Sequence, residues 1–411
     1  MRRIWIVAGL VVVTVGIVWL AATRNGFFDS KVYYGAVQYW FRDGGMVYDW
    51  MRPRTPYGFT YPPFAGLMMA PMAFLPFPMV VTLATVGTVL STALVVWWLT
   101  GSMVRRAGWP AWFALAVAVC LAVAFEPVRE TITFGQVNTL LLALVVGDVL
   151  HGVARGTRWA GVGIGLATAF KLTPGVFIVY LLVTGRWRAA LTAMGSATAA
   201  TLVAGAIFPD ESREFWTSAL WDTDRVGVLS YLSNQSLRGL VARLPVDDVA
   251  STVWLVLVLL SVGWWVRRVR AAVAAGDETA GLAFTGVLGC LISPVTWVHH
   301  CVWLLPALIR CLDAGLSAAR GTRERRPLYL AVAAYLVMTS RLTWLWEHRP
   351  RPPLELIGSN LYVWFSLALM ALTPIVPGGS PTGTPHLEPR LPSRLSRRAH
   401  AGRDVNSEVR V

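Results

Sequence analysis

Residues 1–24 read MRRIWIVAGLVVVTVGIVWLAATR, and the classification of this stretch decides the fold. Its apolar core runs from Ile4 to Ala22. At ~1.5 Å of rise per residue, such a core crosses most of a ~30 Å hydrocarbon layer. It is too long for the apolar region of a typical secretory leader, and no clean small-x-small cleavage site follows. The segment is read as a retained first transmembrane helix, with Arg2 and Arg3 holding its start in the cytoplasm.

The rest of the chain extends this reading. The 411 residues are 55% hydrophobic and only 14% charged, with a mean hydropathy of +0.56. A soluble protein of that length needs more charge to cover itself. Further crossings are expected at 79–100, 111–125, 134–152, 188–208, 252–266, 280–293, 297–312, 328–346 and 357–377. Between Trp159 and Thr184 the chain leaves and returns in two segments too short to span, with Lys171-Leu172-Thr173-Pro174 near the tip. Residues 64–76, broken by Pro71 and Pro76, form another short segment at the outer face. The predicted fold is an all-α polytopic membrane protein with about 11–13 membrane helices and short helices in its outer loops.

One integrated domain is expected over 1–377, followed by a basic, disordered cytoplasmic tail at 378–411. The net charge of +14 gathers in short arginine-rich loops and in that tail. Such loops stay in the cytoplasm, so both termini are placed there. The charge is read as an orientation signal and a contact for anionic membrane lipids, not for nucleic acid. Cys120, Cys290, Cys301 and Cys311 lie in or beside apolar helices without metal-ligand spacing, and are expected to be buried free thiols.

This orientation sends every short polar cluster to the opposite, outer face. Ionisable groups near lipid are costly and are kept mainly where they work. Asp29, just beyond the first helix, is a candidate general base or a helix cap. Tyr61 lies in the rigid stretch Thr60-Tyr61-Pro62-Pro63, over a substrate or at a helix start. Arg129 is a candidate phosphate ligand or an internal ion-pair partner of a glutamate. Gln136 and Asn138 enter an apolar helix and need hydrogen-bond partners, sugar hydroxyls or helix ends. Lys171, one of only two lysines in the chain, suits a lipid phosphate or snorkels to headgroups. Ser233-Asn234-Gln235-Ser236 forms a polar rim or a helix start. Ser293-Pro294-Val295-Thr296-Trp297-Val298-His299-His300 opens another apolar helix. Adjacent histidines point about 100° apart on an α-helix, so one faces the cavity, and a metal site is not expected. Arg341, Glu347 and His348 are weaker candidates near a further outer helix end.

The chain contains no Walker motif, GxGxxG or Gly-x-Ser-x-Gly. An outward-facing enzyme without a nucleotide fold needs a lipid-carried activated substrate. A transporter remains the rival, although transporters tend to place broken helices and polar residues at the midplane.

In order, an Asp after the first helix, TYPP, GQVN, KLTP, NQS and SPVTWVHH resemble glycosyltransferase family 87. The likeness spans about residues 1–375, leaving out only the tail. It implies the GT-C fold class, with outer loops 23–63 and 209–251 capping the active site. It implies an inverting α-1,2-mannosyltransferase of the cell membrane, active on the periplasmic face. The donor implied is polyprenyl-phosphate-mannose, and the acceptor a phosphatidylinositol mannoside at the tetra- to pentamannoside step. Branching of lipomannan and transfer of arabinofuranose are the alternatives. The resemblance assigns the catalytic base to Asp29. The expected phosphate contacts are Lys171, Arg129, His299 and His300, with one histidine of the pair facing the site. Tyr33, Tyr61, Gln136, Asn138, Asn234, Gln235 and Trp297 are expected to hold sugars. No cofactor or metal is expected.

Overall fold

The computed structural model describes residues 1–222, 227–347 and 354–378. In chain order the helices begin with α1 (Arg2–Asn25), α2 (Phe28–Phe41), α3 (Pro63–Met69), α4 (Phe77–Ala107), α5 (Ala111–Ala124) and α6 (Glu126–Phe134). The middle of the chain forms α7 (Asn138–Gly147), α8 (Val162–Phe170), α9 (Val176–Val183), α10 (Trp187–Ile207), α11 (Pro209–Glu214) and α12 (Leu237–Val241). The last set is α13 (Ala250–Ala274), α14 (Glu278–Ile292), α15 (Leu305–Ser317), α16 (Arg326–Thr339), α17 (Leu354–Gly358) and α18 (Leu361–Leu372). Among the described residues no sheet forms; Met51 and Gly58 make one isolated antiparallel bridge.

Helices α1, α4, α10 and α13 are each long and apolar enough to cross a bilayer. Their exposed side chains include Val12 and Leu20 of α1, Leu191 and Leu202 of α10, and Leu259 and Leu260 of α13. Large apolar groups facing outward fit hydrocarbon surroundings, where backbone polar groups are satisfied within the helix. The chain is an all-α polytopic membrane protein. Helix α14, by contrast, is buried along nearly its whole length and forms the centre of the bundle.

Several expected crossings are interrupted. Residues 126–133, expected as an outer loop, form α6, and every one of them is buried. Pro127 suits the first turn of a new helix, which meets α5 at 72°. The expected crossing 297–312 is a tight 3-10 helix over Val298–Leu304 that continues as α15. The expected crossing 328–346 ends its α-helix at Thr339, and Arg341 adopts a left-handed conformation. Helices α7, α9, α14 and α18 are apolar but shorter than a full span.

The two ends of α4 mark the two faces. Near its Phe77 end, the Tyr34 hydroxyl donates to the Leu75 carbonyl at 2.9 Å, tying α2 to that face. At its far end, Arg106 pairs with Asp313. On the Phe77 side, the segments after α1 and after α10 share an apolar cluster, with Trp40 against Phe208 at 4.4 Å and Tyr48 against Phe215 at 5.8 Å between ring centres. The four cysteines are buried free thiols. Of the tail expected from 378 onward, all but Gly378 lies outside the described residues, as does His348.

Candidate active site

The turn after α1 builds the site. Gly26 and Phe27 both adopt the left-handed conformation (φ 57° and 53°), which reverses the chain within two residues. The Phe27 amide donates to the Thr133 carbonyl at 2.9 Å and pins this turn to the end of α6. Helix α2 starts at once, with Asp29 in its first turn, where the helix dipole favours a carboxylate.

Gly135 brings the second wall in. It ends α6 with φ 73°, and a Cβ there would lie 1.8 Å from the Ser30 hydroxyl oxygen. Only glycine tolerates both the backbone angle and the contact. The Ser30 hydroxyl then donates to the Gly135 carbonyl at 3.1 Å. The next residue, Gln136, is thereby carried beside Asp29.

The Gln136 amide nitrogen donates to Asp29 Oδ2 and to the Tyr33 hydroxyl, both at 2.7 Å. Its carbonyl oxygen accepts from the Tyr61 hydroxyl at 2.7 Å. The Tyr33 and Tyr61 hydroxyls are 3.0 Å apart. Lys171 Nζ lies 3.3 Å from the Tyr61 hydroxyl, 3.0 Å from Asn138 Oδ1 and 3.0 Å from His300 Nε2. Lys171 reaches this point because it leaves α8 with an extended backbone just before Pro174. Asn138 also donates to the His299 carbonyl at 3.1 Å, which orients its oxygen towards Lys171.

One continuous network therefore runs from Asp29 to His300 through two phenols, two amides and an ammonium group. Its interior members Tyr33, Tyr61, Gln136, Asn138 and Lys171 are buried, whereas Asp29 and His300 are half-buried at its two ends. Neither Asp29 nor Lys171 makes an ion pair among the described residues. Burial raises the Asp29 carboxyl to about 6, while the Gln136 hydrogen bond and the charges of Lys171 and Arg52 pull it down in part. A carboxylate with this affinity for protons, joined to a cation by neutral groups, has the make-up of a general base facing an anion site.

The histidine pair divides its work. A 3-10 turn separates neighbours by about 120°. His300 faces Lys171, and His299 is buried against Phe134 at 5.5 Å between ring centres. His299 Nε2 has no hydrogen-bond partner among the described residues. Trp297 is half-buried and meets Tyr231 edge to face at 6.0 Å.

Arg129, Asn234 and Gln235 do not join the network either. Arg129 is buried, and its guanidinium donates to the Ala124 carbonyl at 2.9 Å and the Thr339 carbonyl at 3.4 Å, closing helix ends. Both of these bonds are to backbone, and neither brings Arg129 into the network. Nor is Arg129 the ion-pair partner of its neighbours, because Arg341 Nη1 contacts Glu126 at 2.7 Å and Glu130 at 2.9 Å. Asn234 donates to the Leu229 and Pro294 carbonyls, and its oxygen accepts from the Thr296 amide and the Ser236 hydroxyl. Gln235 donates to the Leu232 and Ser359 carbonyls and accepts from the Tyr362 amide. Both side chains staple loops and have no amide hydrogen left for a sugar.

Arg52 escaped the sequence reading. Its guanidinium lies 4.0 Å above the Phe28 ring and lowers the Asp29 affinity for protons. Nothing in the sequence set it apart from Arg24, Arg42 and Arg54 in the same outer loop. Among the described residues no three His, Cys, Asp or Glu side chains converge as a metal-ligand set.

The network that joins Asp29 to Lys171, set among bilayer-length helices, is the candidate site of a membrane protein. The chain belongs to glycosyltransferase family 87, whose sequence signature matches residues 59–294. It is 32% identical over 373 residues to a polyprenol-phosphate-mannose-dependent alpha-(1-2)-phosphatidylinositol mannoside mannosyltransferase of Mycobacterium tuberculosis, across 85% of this chain and 81% of the relative. A protein of the same name from Mycolicibacterium smegmatis is 33% identical, across 81% of this chain and 80% of the relative. A polyprenol-phosphate-mannose-dependent alpha-(1-2)-phosphatidylinositol pentamannoside mannosyltransferase of M. smegmatis is also 33% identical, across 74% of each chain. No solved structure matches the chain.

Proposed function

We propose that this protein transfers mannose from polyprenyl-phosphate-mannose to the 2-hydroxyl of a terminal mannose on a phosphatidylinositol mannoside, in the tetra- to pentamannoside step. The relatives named above, all polyprenol-phosphate-mannose-dependent α-1,2-mannosyltransferases, support the substrate class. The observation that carries the reading is the Asp29–Gln136–Tyr61–Lys171–His300 network, which holds a base and an anion site in one frame.

An α-linked product from a β-linked mannosyl phosphate requires inversion by single displacement. Asp29 takes the proton of the acceptor 2-hydroxyl as that oxygen attacks the anomeric carbon. The bond from that carbon to the lipid phosphate oxygen breaks, and the polyprenyl phosphate leaves. Lys171 and His300 stabilise the charge that develops on the phosphate, in a site whose donors are already oriented. Gln136 holds the carboxylate, while Tyr33, Tyr61 and Asn138 connect base and cation. A monophosphate leaving group bears less charge than a diphosphate, so the reaction runs without a metal ion. Chelation that stops transfer, reversed by a divalent ion, would overturn that point.

The site faces the periplasm and both termini face the cytoplasm. Helix α2, which carries Asp29, is tied beside the Phe77 end of α4, and the other end of α4 carries Arg105 and Arg106. Mass spectrometry of glycolipids from cells lacking the protein tests the acceptor. An accumulated tetramannosylated phosphoinositide is expected. Accumulated pentamannoside would move the step by one sugar, and loss of lipomannan branches alone would replace the acceptor.

A further inference from the structure

Beside the network, aromatic rings line up across the face that carries Asp29. Phe28, the residue before Asp29, meets Tyr57 edge to face at 5.5 Å. Gly227 fills the space between Tyr57 and Trp297: a Cβ there would lie 3.2 Å from the Trp297 ring and 3.4 Å from the Tyr57 ring. Trp297 meets Tyr231 at 6.0 Å, and Tyr231 meets Trp344 at 6.3 Å. Guanidinium groups close both ends of the row, Arg52 at 4.0 Å over Phe28 and Arg341 at 4.5 Å over Trp344.

These rings are not core. Tyr231 is 44% exposed, and Phe28, Tyr57, Trp297 and Trp344 are half-buried. They come from five separate stretches of chain, and no sequence spacing joins them. Edge-to-face packing leaves part of each ring unburied by its neighbour. A half-exposed row beside a catalytic base suits a ligand with apolar faces and polar edges. A mannose ring has that character, with C–H groups on its faces and hydroxyls around its rim.

We propose that Tyr57, Trp297, Tyr231 and Trp344 form a platform for the acceptor glycan, binding the mannose units behind the one that reacts at Asp29. This rests on the mannosyltransferase reading and names a specificity surface within it. Two points favour the acceptor over the donor as occupant. The row starts at Phe28, the neighbour of Asp29, where the acceptor hydroxyl must sit. A row of several rings also exceeds what a single transferred sugar needs.

The test compares two synthetic acceptors, a short one (an alkyl α-mannoside) and a long one (the tetramannosylated phosphoinositide), with polyprenyl-phosphate-mannose as donor in membranes. Tyr231→Ala is the main variant because its side chain is largely exposed. It is expected to raise KM for the long acceptor about five- to tenfold, with kcat, the donor KM and the short-acceptor KM unchanged. Tyr231→Phe should keep wild-type values, since the ring and not the hydroxyl makes the contact. Trp344→Phe retains a ring but loses the indole donor to Glu126, and should show an intermediate rise. Equal KM values for Tyr231→Ala and wild type on the long acceptor would overturn the platform. A raised donor KM instead would assign the row to the isoprenoid chain and also overturn it. No transfer by the wild-type protein to either acceptor would overturn the mannosyltransferase reading itself, a separate result.

Discussion

Two clusters of buried charge sit at opposite ends of the bundle and are built on opposite principles. At the arginine-rich end, Asp277 caps α14 through the Ala280 amide, accepts from the Val376 amide at 2.8 Å and pairs with Arg310. Nearby, Glu278 pairs with Arg186, and Asp313 with Arg106. Each of these carboxylates is answered directly by a guanidinium. At the other end, Asp29 and Lys171 belong to one network but are kept apart by Gln136 and Tyr61. A carboxylate bound to arginine has its acceptor oxygens occupied. One held by a neutral amide keeps its affinity for protons and stays free to accept one.

That contrast can be broken by mutation. The largest effect is expected for Asp29→Asn, which removes the base: kcat should fall by about 10²–10⁴ while the folded yield stays at the wild-type level. Mannosyl transfer assayed in isolated membranes reads the first, and size-exclusion profiles in detergent read the second. Lys171→Met should cost about 10²–10³ in kcat through lost charge stabilisation in the transition state. Asp277→Asn should act in the opposite sense. Leaving buried Arg310 with only its longer contact to Asp313, at 3.4 Å, should destabilise the fold by about 3 kcal/mol, seen as a lowered melting temperature, with kcat per folded molecule preserved. Loss of activity in that variant without loss of stability would mean that the two ends are not separate.

The smallest effect is a matter of pH. With the Asp29 carboxyl raised to about 6 by burial, transfer should fall about tenfold for each unit below that pH, as the base becomes protonated. Gln136 donates to the ionised form, so Gln136→Leu should move the acid limb to higher pH. An acid limb in the variant at or below the wild-type position would separate Gln136 from the base.

Much of the site was legible in the chain because its chemistry is local. Asp29 stands alone beyond an unbroken apolar run, and Lys171 is a rare lysine beside a helix-breaking Thr-Pro step. Their residue types and positions marked them before any contact was known. Arg129, Asn234 and Gln235 look equally promising in one dimension, yet their donors are directed at backbone carbonyls that only the folded loops present. The histidine pair was ambiguous for a related reason. A 3-10 turn in place of the first turn of an α-helix changes which ring faces Lys171. The spans were legible in the same uneven way. Continuous runs such as α1 and α13 follow hydropathy, whereas the α5–α6 bend depends on burying a polar helix whose partner Arg341 lies more than 200 positions away.

Gly135 gives this machinery its tightest tolerance. The Ser30 hydroxyl occupies the place where any other residue would carry its first side-chain carbon. The two walls of the site are thus mounted on each other like the jaws of a fixed gauge. Access for a lipid-linked sugar must come from parts of the bundle without such a lock. One extra carbon atom at that position, with no change of charge anywhere, would move the base away from every group arranged to meet it.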